Sequence, residues 1–108
     1  MKRYTKRQFI FECVQRYGAN RSHWRFECPS CHMKQSANDL INAGVGETFN
    51  EVFKYLGYWC VGNWSKKQGC EYSNDMFLNI FHTDHLIEIE YKNKKTGKIE
   101  TRIFFGFA

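Results

Sequence analysis

The sequence predicts one small α+β domain, and three observations carry that expectation. A capped amphipathic segment opens the chain, four of its five cysteines fall into two groups, and two alternating apolar segments close it. At 108 residues there is room for a single core. Aromatic side chains make up 18% of the residues, ten of them Phe, so there is enough apolar surface to exclude a disordered chain. A core of this size gains materially from a metal staple.

Taken in order, Thr5-Lys6-Arg7-Gln8 reads as a capping box, with Thr5 at N-cap and Gln8 reaching back. Ile10, Cys13, Val14 and Tyr17 recur at helical spacing on one face, and Gly18 stands where the helix should stop. The N-terminal helix is expected over about residues 6–17, with Cys13 on its apolar face as a small buried hydrophobe. Ala19-Asn20-Arg21-Ser22 is a connecting loop. Residues 23–26 and 33–35 are expected to pair as a short hairpin around Cys28-Pro29-Ser30-Cys31. Ser36-Ala37-Asn38-Asp39 starts a second helix that stops at Gly44, and Thr48 with Glu51 starts a third, closed by Gly57. These form a helical insert over about 37–56. The segments around Cys60 and Cys70 look strand-like and flank a loop of Asn, Ser, Lys and Gly.

Phe77-Leu78-Asn79-Ile80-Phe81 is an apolar run that begins the β-rich part of the chain. In Leu86-Ile87-Glu88-Ile89-Glu90-Tyr91 the residues Ile87, Ile89 and Tyr91 share a face. Lys94-Lys95-Thr96-Gly97 makes the turn, and residues 99–107 return with Ile103, Phe105 and Phe107 facing together. The result is a C-terminal antiparallel hairpin over about 86–107, with an exposed edge and a Lys-rich tip.

The cysteines carry the chemistry. A CxxC turn holds two thiolates on one side of a tight loop, and Pro29 presets φ inside it. Cys60 and Cys70 supply the second pair. Cys28, Cys31, Cys60 and Cys70 thus make the ligand set of a four-cysteine zinc ribbon, with knuckles around 28–31 and 60–70 separated by the helical insert. Four thiolates fill a tetrahedral ion and leave no position for water, so the single Zn²⁺ is expected to be structural. Cys13 is a spare thiol outside the set. His23 and His32 stand near enough in sequence to replace a thiolate, but a surface role or one beside the ligands suits them better. Met1-Lys2-Arg3-Tyr4 precedes no signal-peptide apolar region, and no apolar run is long enough to span a membrane. A cytoplasmic location follows, where thiols stay reduced and cysteines favour metal over disulfides.

The formal charge is +5 with a pI of about 9.0, and four thiolates around one Zn²⁺ would take roughly two units off it. Lys2, Arg3, Lys6, Arg7, Arg16, Arg21 and Arg25 crowd the first segment, with Glu12 against them, and Lys92, Lys94, Lys95 and Lys98 crowd a late turn. Each cluster reads equally as a solvated face or a phosphate-facing one. Near the knuckles, Arg21, Arg25, Lys34, Lys66 and Lys67 are the candidate phosphate contacts, with Trp64 as a stacking platform. The plainer alternatives are packing of Trp64 over the metal site, and charge balance between Arg25, Lys34 or Lys66 and the thiolates. His82 and His85 flank Asp84, which a polar turn explains better than acid–base catalysis. HExxH, GxSxG, P-loop and GxGxxG motifs are all absent. The sequence therefore points to a non-enzymatic binding protein with no membrane and no small-molecule substrate. Its partner would be nucleic acid or a nucleoprotein complex, and the hairpin edge allows a monomer or a homodimer. Lys at such an edge is equally a device against pairing.

Several segments together resemble a family of small zinc-ribbon proteins encoded by bacteriophages, prophages and plasmids. They are Gln15-Arg16-Tyr17-Gly18, Trp24-Arg25-Phe26-Glu27-Cys28-Pro29-Ser30-Cys31, Gln35-Ser36, Asp39, Ala43-Gly44, Trp59-Cys60-Val61-Gly62, Gly69-Cys70 and Phe105-Gly106-Phe107-Ala108. The likeness runs from about Phe9 to the end of the chain. It implies a metal-ligand role for Cys28, Cys31, Cys60 and Cys70, no catalytic residue, and a bacterial host's cytoplasm. It gives a fold and a source more than an activity; a phage source would also suit an accessory protein that inhibits a host or defence protein, in the manner of an anti-CRISPR, through protein contact. The sequence departs from that family at His32, where Gly is usual, and at Ser73-Asn74-Asp75-Met76, where a Gly-rich run is usual.

Overall fold

The computed structural model describes residues 2–75 and 85–108. It is an α+β structure with a mixed five-stranded sheet and three α-helices among the described residues. In chain order the elements are β1 (Lys2–Thr5), α1 (Lys6–Tyr17), a 3₁₀ turn (Arg21–His23), β2 (Arg25–Glu27), β3 (Lys34–Ser36), α2 (Ala37–Asn42), α3 (Phe49–Leu56), a second 3₁₀ turn (Val61–Asn63), β4 (Leu86–Lys92) and β5 (Ile99–Phe107). The sheet order is β1-β4-β5-β2-β3, with β1 parallel to β4 and the other pairs antiparallel. No described helix is long and apolar enough to cross a membrane.

The helix boundaries follow their caps. At α1 the Thr5 hydroxyl accepts from Gln8 N at 3.1 Å while Gln8 Oε1 accepts from Thr5 N at 3.0 Å, and the backbone turns left-handed at Gly18. Ser36 and Asp39 cap α2 reciprocally in the same way, and Thr48 caps α3. The buried stripe of α1 is Phe9 and Cys13, with Tyr17 half-buried, whereas Ile10 is exposed. The predicted stripe is therefore rotated by about one residue. Phe9 takes the inner position because four rings converge on it: it stacks on Phe26 at 5.9 Å and on Phe107 at 5.8 Å, and meets Phe104 at 5.4 Å and Trp24 at 6.4 Å edge-on.

The C-terminal hairpin forms with Leu86 opposite Phe105 and Lys92 opposite Ile99. Three features differ from the sequence expectation. Its β4 edge is not open, because β1 pairs along residues 87–90. On the far side, β2 pairs with the last residues of β5, Phe26 opposite Phe107, so one sheet joins the two predicted hairpins. Phe107 does not share a face with Phe105. It packs with Phe104 on Phe9 and Phe26, while Phe105 meets Tyr72 at 6.0 Å. The alternation therefore breaks across Gly106, where β5 leaves β4 and takes up β2. Residues 23 and 24, expected in the knuckle hairpin, instead belong to the 3₁₀ turn and its exit, where the Trp24 indole N–H donates to Gly18 O at 2.9 Å. The apolar run at 77–81 and the His82 and Asp84 positions lie outside the described residues.

One buried polar side chain ties the two halves together. Gln35 of β3 is fully buried, donating from Nε2 to Leu56 O at 2.8 Å and Trp59 O at 2.9 Å, and accepting at Oε1 from Val61 N at 2.8 Å. Every strong bond its amide makes here joins the first knuckle hairpin to the segment carrying Cys60. Replacing Gln35 with Leu leaves those three backbone groups without their partner, so the expected outcome is a loss of about 2–4 kcal/mol in denaturant unfolding of the metal-loaded protein.

Candidate metal centre

The first thiol pair sits at the tip of the β2–β3 hairpin. Cys28 N donates to Met33 O and His32 N donates to Cys28 O, both at 2.9 Å, which closes the CPxC turn. Cys28 is buried and Cys31 is exposed. The second pair forms differently from the expected pair of strands. Trp59 and Ser73 make one isolated bridge, Cys60 N donates to Tyr72 O at 3.0 Å, and a 3₁₀ turn follows Cys60 at once. Strand pairing fails to extend because the chain needs to fold back sharply for Cys70 to reach Cys60.

Glycine makes that return possible. A Cβ on Gly62 would lie 2.1 Å from Cys70 N, and one on Gly69, where φ is +81°, would lie 2.6 Å from Gly62 N and 2.9 Å from Cys60 Sγ. The two glycine backbones therefore clasp the loop where side chains would block it. Cys70 N donates to Cys60 Sγ at 3.3 Å across this clasp. The Ser73-Asn74 stretch is held by the buried Asn74, whose Nδ2 donates to Gly57 O at 3.1 Å and Ile103 O at 3.3 Å.

The four sulfurs converge. Cys28 Sγ lies 3.7 Å from Cys70 Sγ, Cys31 Sγ lies 3.7 Å from Cys60 Sγ, and all four are within 4.8 Å of one another. A tetrahedral ion with metal–sulfur bonds of about 2.3 Å sets its sulfurs about 3.8 Å apart. The four cysteines could thus hold one metal ion with little rearrangement. A hydrogen bond from the Cys28 thiol, with N–H groups of Gly62 and Cys70, pulls the Cys60 thiol below its ordinary value despite its burial. The same bond and burial push Cys28 up, and burial pushes Cys31 up to about 11. Cys13 is outside the cluster. Burial in α1, with Glu12 beside it, pushes its thiol up to about 12, so it behaves as a core hydrophobe.

The six candidate binding residues do not share one place. Arg25 and Lys34 lie exposed on β2 and β3, with Lys34 opposite Glu27 in register. Lys66 and Lys67 are exposed in the loop between the second 3₁₀ turn and Gly69. Trp64 is half-buried against Tyr55 at 5.3 Å and Trp59 at 5.7 Å. Arg21 sits on the first 3₁₀ turn with its guanidinium 5.1 Å from the centre of the Phe49 ring. Of the six, Arg21 alone lines a groove of about 620 Å³ between α1, α3 and the sheet. Lys6 and Arg102 supply the other cations of that groove, and Trp24, Phe49, Phe53 and Tyr91 supply rings, with no acidic side chain among the described residues lining it. Sequence reasoning missed this groove because its walls come from α1, α3, β4 and β5, and no local pattern joins them.

The chain belongs to the VVA0879-like family, whose model matches residues 5–100 and so spans all four clustered cysteines. No curated protein and no solved structure matches the chain.

Three outcomes test the centre. Cys28→Ser or Cys60→Ser should release the metal and unfold the domain, read together by bound-metal analysis and circular dichroism. Cys13→Ala should keep a full equivalent of metal and cost about 1–2 kcal/mol of packing. A Cys28→Ser variant that melts like the parent would contradict the ligand set. Gly62→Ala should also abolish metal retention although it removes no ligand, because its methyl occupies the position of the Cys70 backbone.

Proposed function

We propose that this member of the VVA0879-like family is a non-enzymatic, nucleic-acid-binding zinc-ribbon protein with one structural Zn²⁺. The zinc reading rests on ligand chemistry: four soft thiolates at tetrahedral spacing suit Zn²⁺, and a closed set offers no position for a reacting water. The ion then acts as a staple for a small core.

The observation that carries the binding reading is the acid-free groove. Lys6, Arg21 and Arg102 place positive charge on its walls, and the half-buried Phe49, Phe53 and Tyr91 offer ring surface between them. Cations fix phosphates while rings stack on unpaired bases, which is how sequence-tolerant single-strand binding works. A groove of about 620 Å³ is of the size that takes one or two unpaired nucleotides. Arg25, Lys34, Lys66 and Lys67 extend the basic footprint outside it. The resemblance to phage, prophage and plasmid proteins supports an accessory protein of a mobile element, working in a bacterial cytoplasm where its thiols stay reduced.

The test is titration of metal-loaded protein with short single- and double-stranded DNA and RNA at two salt concentrations. Single strands should bind, with affinity falling steeply as salt rises. Arg21→Ala should weaken binding and flatten the salt slope by about one, and Phe49→Ala should cost about 1–3 kcal/mol of stacking. Absence of binding to every nucleic acid at low salt would overturn the reading and leave inhibition of a host or defence protein as the alternative to pursue by pull-down.

A further inference from the structure

His32 occupies an unusual position. Its φ of 64° is the only left-handed backbone among the described residues other than glycine. Histidine tolerates that region better than most residues, but glycine would take it at no steric cost. The side chain at this position is engaged. His32 Nδ1 lies 3.2 Å from Glu27 Oε2, and its ring meets that of His85 edge-on with centroids 5.2 Å apart. Glu27 ends β2, His32 closes the CPxC turn and His85 immediately precedes β4, so three separate stretches bring these groups together. Each offers one donor atom, and all lie within 4.8 Å of one another.

We propose that Glu27, His32 and His85 form a second metal site, distinct from the four-cysteine centre, that takes an imidazole-preferring divalent transition ion, foremost Zn²⁺. Two imidazoles and a carboxylate are a sufficient set of three protein ligands, leaving a position for water or for an oxygen donor of a bound partner. Metal–nitrogen and metal–oxygen bonds of about 2.0–2.2 Å need donors about 3.3 Å apart. The Glu27–His32 pair already stands at that spacing, and ring rotation of the two exposed histidines closes the remainder. A hydrogen bond alone accounts for Glu27 and His32, but not for the second imidazole beside them. Two cations stand on this side: Lys34, opposite Glu27 in the β2–β3 register, and Arg16, which shares a small cavity with Glu27 and His85. The Arg16 guanidinium is committed elsewhere, paired to Glu12 at 2.8 Å and lying over the Phe107 ring at 4.7 Å. The site does not depend on the nucleic-acid reading.

The experiment starts from protein carrying one tightly held equivalent of Zn²⁺, cleared of loose ions on a chelating resin and titrated by calorimetry with Zn²⁺ and, separately, Ni²⁺. Wild type should take up one further equivalent. His85→Ala and His32→Gly should each weaken that equivalent at least tenfold while the first is retained. His32→Gly is the sharper variant, because glycine suits the backbone there and an unchanged circular dichroism spectrum separates ligand loss from unfolding. A wild type that takes up no second equivalent, or either variant holding it at wild-type affinity, overturns the assignment.

Discussion

Four sulfurs drawn from widely separated parts of the chain have to meet at one point, and most of the fold is arranged to let them. Cys28 and Cys70 are 42 residues apart, and Cys31 and Cys60 are 29. Bringing such distant residues together in a small domain costs chain entropy that grows with loop length, so the contact needs help from both sides. The first pair is presented by a hairpin whose geometry is local. The second depends on two glycine backbones lying against each other, because the sequence between Cys60 and Cys70 has no strand of its own. Gln35 links the two, accepting from Val61 N directly after Cys60.

That convergence reaches the core because the knuckle hairpin is not an appendage. β2 pairs with β5, and Phe26, two residues before Cys28, lies fully buried among Phe9, Phe104 and Phe107. The first knuckle is thereby built onto the end of the sheet. Gly57 seats the other side: its Cα lies so close to the Phe104 ring that any side chain would collide, and Phe105 N donates to its carbonyl at 2.8 Å. An ion held by the four sulfurs would therefore stabilise the same arrangement as the aromatic packing. Holding the sulfurs in place fixes the hairpin, and the hairpin supplies one wall of the core.

The parts legible in the sequence are those with local causes. Thr5 with Gln8, Ser36 with Asp39 and Thr48 each placed a helix start, and the Cys28–Cys31 spacing announced the centre. What escaped depends on distant partners. The strand Lys2–Thr5 carries little apolar character and exists because β4 offers it a parallel edge. The stripe of α1 shifted from Ile10 to Phe9 because the rings of Phe26, Phe104 and Phe107 come from three remote positions. The switch of face at Gly106 reflects a change of neighbour strand, which no single-strand periodicity encodes. Even the departure at His32 was visible only as an oddity until Glu27 and His85 appeared beside it.

The groove and the core share residues, and this limits how binding can be separated from stability. Trp24 and Phe104 line the groove and are also almost fully buried, so their truncation would damage the fold whatever the ligand. Arg21 differs. It is exposed, it rests on Phe49 through its guanidinium face, and removing it leaves no buried group unpaired. Its contribution to folding is that of a surface cation over a ring, about 0.5–1 kcal/mol. If the groove takes an anionic ligand as proposed, Arg21 is the cation whose removal tests binding with little effect on the fold. Arg102 stands between the two cases, since it donates to Lys54 O at 2.6 Å and its burial lowers its pKa from the usual arginine value. Burial makes the charge at Arg102 costly to hold, and an anion bound beside it would relieve that cost.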